Sequence, residues 1–147
     1  MTTISLSSHI LVLLQFSGIV LSVFPVNHTG SHHKYFLIFS AAGLLLGVIT
    51  LMYNKIGNFR VYPEIKPGGR LIITGPYRFV RHPMYTSLIL LLAGMTLYLN
   101  HLTNYIGLVI VIASVFLKSK REEQLLIKIY PEYMEYMNET SGFLPFV

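Results

Sequence analysis

A chain of 147 residues in which 53% are hydrophobic and only 12% charged is too apolar for an ordinary soluble domain, where about a quarter of residues carry charge. The absence of cysteine excludes a disulfide framework, a thiolate nucleophile and any cysteine-based metal site. The formal charge of +5 comes from basic residues that flank apolar stretches, a placement that suits anionic lipid headgroups and argues against nucleic acid as a partner.

The first apolar stretch, His9 to Val26, contains no Lys, Arg, Asp or Glu. It lacks a basic leader and a small-residue cleavage site, so it is read as a mature membrane helix rather than a signal peptide. The second, Tyr35 to Tyr53, is equally free of charge, and both approach the roughly 20 residues that a helix needs to cross about 30 Å of hydrocarbon. Within it Gly43 and Gly47, four apart beside Ala42, leave a flat strip where another helix approaches closely. From Lys55 to Arg81 the composition changes to Pro63, Pro67, Gly68, Gly69, Gly75 and Pro76, which predicts an ordered or re-entrant loop. Two shorter apolar stretches follow, Met84 to Leu99 and Leu102 to Leu117, joined by Asn100 and His101 and therefore expected to form a tight helical hairpin. Beyond Leu117 the residues Leu125, Leu126, Ile129, Tyr130 and Tyr133 recur at helical spacing beside Glu122, Glu123, Lys128 and Glu132, with Pro131 placed to end one helix and start another. The predicted fold is all-α: a multi-pass transmembrane protein of about four membrane helices, followed by amphipathic C-terminal helices. It is expected to be a single integral membrane domain, with two helices in 1–54, a loop in 55–83, a hairpin in 84–117 and a cytoplasmic tail in 118–147.

Basic residues set the expected orientation. Lys55, Arg60, Lys66, Arg70, Arg78 and Arg81 lie between the second and third stretches, and Lys118, Lys120, Arg121 and Lys128 follow the fourth. With four crossings both groups fall on one side, which the positive-inside rule makes cytoplasmic, together with both termini.

Three features meet on that side: the Gly-Pro loop, the run Arg78-Phe79-Val80-Arg81-His82-Pro83-Met84-Tyr85, and the charged patch from Lys118 to Glu123. Pro83 biases His82 to an extended backbone and itself fits the first turn of a helix, so the entrance of the third helix presents donors to a ligand. Arg78, Arg81, Tyr77 and Tyr85 also suit plain anchoring at the interface. Glu122 and Glu123 are read either as the solvated first turn of a tail helix or as carboxylates that receive ribose hydroxyls or offset a cation. His82 is a candidate general base or hydrogen-bond donor, and as a lone histidine it is not expected to bind metal.

The run Gly75-Pro76-Tyr77-Arg78-Phe79-Val80-Arg81-His82-Pro83-Met84-Tyr85, followed by Glu122-Glu123-Gln124-Leu125-Leu126, then Tyr133, Tyr136 and Phe143-Leu144-Pro145, closely resembles the isoprenylcysteine carboxyl methyltransferase and phospholipid methyltransferase superfamily. The resemblance covers about residues 66 to 147. It implies an S-adenosylmethionine pocket facing the cytoplasm, with a lipophilic or prenylated substrate entering from the bilayer. By position it implies cofactor contacts from Gly69, Arg70, Leu71, Ile72, Tyr77, His82, Pro83, Met84, Tyr85 and Glu122. Where such proteins usually carry Arg four residues before the first Glu, linked to the substrate, this chain has Lys118. Lysine keeps the charge but lacks the planar fork that grips a carboxylate at two points. Arg121 is the second candidate for that role.

Methyl transfer from a sulfonium is an in-line displacement that asks the protein chiefly to align the reactants and exclude water. A carboxylate acceptor needs no base, and Lys118 beside it favours isoprenylcysteine-type O-methylation, with Lys118 and His82 as the catalytic candidates. An amine acceptor needs a proton removed, by His82 or a Glu, and phospholipid N-methylation is the alternative. Two further possibilities are a nicotinamide-dependent membrane reductase and a non-catalytic scaffold packed through Gly43 and Gly47. No strand followed by a G-x-G-x-x-G loop is present, so a soluble dinucleotide-binding domain is not expected.

Overall fold

The computed structural model describes residues 4–25, 33–54, 61–64 and 70–145. Helix α1 spans Leu6–Val23. A 3-10 turn, Lys34–Phe36, leads into α2, Leu37–Asn54. A second 3-10 turn, Gly75–Arg78, precedes α3, Pro83–Leu99, which is followed by α4, Leu102–Ile129, and α5, Tyr133–Glu139. α1, the helix ending at Asn54, and α4 are each long and apolar enough to cross a membrane, while α3 is a shorter apolar helix.

The helices bury the opposite of what a soluble bundle buries. On α1 the inward face is Ser8, Leu11, Gln15, Gly18 and Ser22, spaced three and four apart, whereas Ile10, Leu13, Leu14, Phe16 and Val20 face outward. Lipid is as apolar as leucine, so helices in a bilayer associate through small residues and hydrogen bonds rather than by hiding hydrocarbon. α2 follows the same rule, burying only Gly43 and Thr50. A Cβ on Gly43 would lie 2.5 Å from the Leu91 nitrogen and 2.7 Å from the Ser87 carbonyl oxygen, so the expected flat strip receives α3.

The pairing is nested: α2 packs chiefly on α3 and α1 chiefly on α4, with less contact between α3 and α4. Leu92, Val111 and Val115 are the buried apolar centre that joins the two pairs. Ser5 caps α1 by accepting from the Ser8 N–H at 3.2 Å. At the other end of α1, the buried Asn104 amide donates to the carbonyls of Leu21, Ser22 and Phe24 at 2.9, 3.2 and 3.0 Å. These are terminal carbonyls with no partner inside their own helix, and in hydrocarbon they have no water to turn to.

The hairpin turn is as short as Asn100 and His101 imply. Asn100 adopts a left-handed conformation (φ 48°, ψ 45°), which its residue type tolerates, and its N–H closes α3 on the Thr96 carbonyl at 2.8 Å. His101 then caps α4 by accepting from the Thr103 N–H at 3.3 Å. Pro83 opens α3, as its fixed φ suits. Pro131 lies in the turn between α4 and α5.

One boundary differs from expectation. α4 does not stop at Leu117 but runs 28 residues to Ile129, about 42 Å, well beyond the hydrocarbon thickness. Glu122 and Glu123 therefore lie inside a continuous helix, not in the first turn of a separate tail helix. Lys118-Ser-Lys-Arg-Glu-Glu-Gln contains no helix breaker, and most of these residues are good helix formers, so polarity changes along α4 while conformation does not.

The candidate functional site

The site is built where the entrance of α3, the charged part of α4 and the C-terminal segment converge. His82 stands just before α3 with φ −124° and ψ 58°, less fully extended than its proline neighbour alone implies. Its Nε2 lies 3.0 Å from Glu123 Oε1 and its Nδ1 lies 3.5 Å from Glu122 Oε2. With a carboxylate opposite each nitrogen, the ring is best satisfied as a doubly protonated imidazolium. Burial pushes the His82 pKa down, but the hydrogen bonds and charges of Glu122 and Glu123 outweigh it and hold the pKa above its ordinary 6.5.

The surrounding groups lock this pair of carboxylates. Arg81 Nε donates to Glu123 Oε1 at 2.8 Å, and its Nη1 donates to the Met137 carbonyl at 3.0 Å and to that of Thr140. One guanidinium thus ties Glu123 to the end of α5. The Tyr85 hydroxyl donates to Glu122 Oε1. Tyr136 donates to the Tyr77 carbonyl, and its own hydroxyl is pushed up to about 12, first by burial. Tyr77 is raised further by burial and then by Glu122, and Tyr133 by burial and then by Glu123. All three phenols stay protonated at neutral pH and are available as donors.

Residues 141–143 form a strap along the run that leads into α3. Ser141 pairs with Val80 in a parallel bridge, and the N–H groups of Arg81 and His82 donate to the Ser141 and Gly142 carbonyls at 2.8 and 3.1 Å. Thr86 Oγ1 donates to the Phe143 carbonyl at 2.7 Å. The Phe143 ring lies 5.6 Å from the His82 ring, whose centroid is also 5.7 Å from that of Tyr85. Phe143 also lines an almost wholly apolar cleft of about 260 Å³ between α3 and α4, with Ile89, Leu90, Ile112, Phe116 and Leu144.

Lys118 and Arg121 occupy a second polar cluster, turned toward α1. Lys118 is 1% exposed, and its Nζ donates to Gln15 Oε1 and the Val61 carbonyl, each at 2.6 Å. Arg121 donates to Ser7 Oγ at 2.9 Å, and Glu64 accepts from the Ser8 hydroxyl and from the Ser5 N–H at 3.3 Å. The clusters touch through Tyr85, whose ring lies 5.4 Å from Lys118 Nζ.

Of the residues singled out from sequence, His82, Tyr85 and Glu122 meet directly, and Tyr77 lies near enough for its hydroxyl to feel the Glu122 charge. Pro83 and Met84 form the first turn of α3 beneath. Arg70 is exposed in the extended stretch before the 3-10 turn, while Leu71 and Ile72 are half-buried there and are not part of the hydrogen-bonded cluster. Gly69 lies outside the described residues. Sequence reasoning weighed Glu122 and Glu123 as a pair but assigned only Glu122 to the cofactor, and it read Arg81 only as a headgroup anchor, not as the partner of Glu123. It also missed Gln15, whose signal was a lone amide within an apolar span, and Phe143 as a wall of the cleft.

Residues 34–133 match the phospholipid methyltransferase family. The chain is 28% identical over 113 residues to the nickel-cobalt-cadmium resistance protein NccN of Alcaligenes xylosoxydans xylosoxydans, covering 72% of this chain and 51% of that protein. It is 27% identical over 109 residues to the cobalt-zinc-cadmium resistance protein CzcN of Cupriavidus metallidurans, covering 69% and 49%. The chain thus spans about half the length of these curated relatives. The family match takes in both 3-10 turns, the whole hairpin, both carboxylates and Tyr133, and on that ground this membrane protein belongs to the phospholipid methyltransferase family.

Proposed function

We propose that this protein methylates a lipophilic acceptor drawn from the bilayer, using S-adenosylmethionine, at a site on the cytoplasmic side. The observation that carries this is the continuity of a charged cluster, Arg81-His82-Glu122-Glu123-Tyr85, with an apolar cleft between two membrane helices. A polar reacting group and an apolar tail have adjoining places there.

The residues suit the cofactor. The Tyr133 hydroxyl is buried and has no hydrogen-bond partner among the described residues, a donor of the kind a polar ligand takes up. Glu122 keeps the more exposed carboxylate of the pair, at 22% against 17% for Glu123. Glu122, Tyr77, Tyr85 and Tyr133, with apolar support from Leu71, Ile72, Pro83 and Met84, are the residues that would hold it. When bound, S-adenosylmethionine supplies a methyl group carried on a sulfonium sulfur. His82 holds its protons between two carboxylates, so it orients Glu122 and Glu123 rather than serving as the base. The strap and the rings of Phe143 and Tyr85 keep water from the reacting atoms, which strengthens every charge interaction inside.

The arrangement favours an amine head over the carboxylate of an isoprenylcysteine. Lys118, the expected carboxylate partner, already donates to Gln15 and Val61, and Arg121 donates to Ser7. The least committed charge is negative, at Glu122, which suits a cationic amine and is placed to take the proton that N-methylation releases. Carboxyl O-methylation requires Lys118 to leave its partners. Among the described residues no cluster of three or more His, Asp or Glu side chains is placed to hold a metal ion.

The test is calorimetric titration of S-adenosylhomocysteine into detergent-purified protein, with NADPH as control, followed by methyl-transfer assays on phosphatidylethanolamine and on a prenylcysteine. Saturable S-adenosylhomocysteine binding and methylated phosphatidylethanolamine are expected. Methylation of the prenylcysteine alone would reverse the choice of acceptor, and binding of NADPH alone would replace methyl transfer with reduction.

A further inference from the structure

Phe143 stands at a junction. Its ring lies 5.6 Å from that of His82 in the charged cluster and 6.3 Å from that of Phe116, with which it lines the apolar cleft. Its backbone is fixed independently of the ring, through the Thr86 hydroxyl to the Phe143 carbonyl and the His82 N–H to the Gly142 carbonyl. The cleft itself lies against the first turns of α3 and the last apolar turns of α4, and Ile112 and Phe116 are 41% and 47% exposed at its mouth. Helices of this composition are surrounded by lipid, so an acyl chain is the occupant to which the mouth opens.

We propose that Phe143 is a specificity-determining partition: its ring closes the inner end of the acyl-chain cleft and so sets where an acceptor's apolar tail must give way to a polar linker before reaching the charged cluster. This rests on the reading of the cleft as the place of the acceptor's tail. A lipid whose amine is separated from its chains by a slim polar headgroup passes the ring, whereas an alkylamine with its nitrogen directly on the chain is blocked by it. Hydrocarbon cannot follow into the polar side without displacing a ring packed against an imidazolium. Phe143→Ala joins the two compartments and Phe143→Trp narrows the passage, so the two substitutions move selectivity in opposite directions.

Two readouts separate this proposal from the methyl-transfer reading. In the first, kcat/KM is compared for phosphatidylethanolamine and a long-chain primary alkylamine. The ratio shifts toward the alkylamine by about 10-fold or more in Phe143→Ala and the other way in Phe143→Trp, the range expected when a pocket gains or loses a few apolar atoms. In the second, the intact protein is placed in vesicles containing a phospholipid with a diazirine near the carbonyl end of one acyl chain, photolysed, and mapped by mass spectrometry. Adducts are expected on Ile112, Phe116 and Leu144 in the unaltered chain and, in Phe143→Ala, also on His82 or Tyr85. An unfolding temperature in detergent matching that of the unaltered chain reports that each variant is folded. An unchanged ratio together with an unchanged adduct map overturns the partition, as does the absence of adducts from the cleft. A map that extends as expected while neither amine is methylated supports the partition and discards the methyl-transfer reading.

Discussion

Two polar clusters lie on neighbouring turns of α4 and are satisfied in opposite ways. Toward α1, Lys118 and Arg121 are met by neutral acceptors: the Gln15 amide, the Val61 carbonyl and the Ser7 hydroxyl. Toward α3, Glu122 and Glu123 are met by Arg81, His82 and Tyr85, charge against charge. A buried cation hydrogen-bonded to neutral acceptors, with the Glu122 and Glu64 charges nearby, is immobilised on this side and holds α1 and the segment 61–64 in place. Opposed charges that leave Glu122 partly exposed hold a geometry and keep interaction capacity in reserve. The same helix thus has a structural side and a chemical side.

The largest effect expected is on the structural side. Lys118→Ala leaves Gln15 and the Val61 carbonyl buried without their donor and should cost about 2–5 kcal/mol, read as a lowered unfolding temperature in detergent. Affinity for S-adenosylhomocysteine in the protein that remains folded should suffer less than in Glu122→Gln. That second substitution removes a charge-assisted partner and should weaken S-adenosylhomocysteine binding by roughly 10- to 100-fold, about 1.5–3 kcal/mol, with little change in unfolding temperature. If the two variants exchanged these phenotypes, the division of α4 into two sides would be reversed. Gln15→Leu should cost about 1–2 kcal/mol in stability, less than loss of the lysine, because Lys118 retains the Val61 carbonyl. The smallest effect is the pH dependence of His82. Because its folded pKa lies above the ordinary 6.5, its contribution to stability is full below about pH 6.5 and is lost as pH rises through the raised value, with a slope of at most about 1.4 kcal/mol per pH unit. His82→Gln should flatten that part of the profile, and a slope of the same size in the variant would assign it to another group.

The helices were legible because lipid imposes long charge-free runs, and the hairpin because Asn100 and His101 interrupt one of them. The end of α4 was not legible, since a fall in hydropathy at Lys118 looks like the end of a helix when it is only the exit from hydrocarbon. His82, Tyr85 and Glu122, singled out through a motif, do cluster, but the long-range hydrogen bonds around them were not legible. Arg81 reaches carbonyls of residues 137 and 140, and Lys118 reaches Gln15 more than a hundred residues away. Such pairings depend on which helix lies beside which, and apolar spans of similar composition carry little information about their neighbours. The nested order of helices, with α4 returning to α1, is the missing step.

That nesting also separates the order in which the chain is made from the order in which it is completed. The carbonyls at the end of α1 wait for the Asn104 amide, which lies 80 residues after Phe24. α2 and α3, close in sequence, have each other as partners before α4 exists, whereas α1 has only its smaller contact with α3. α4 therefore closes the bundle, caps α1, and brings both carboxylates to His82 in one event. A chain stalled short of α4 has apolar helices but lacks the carboxylates of the His82 cluster.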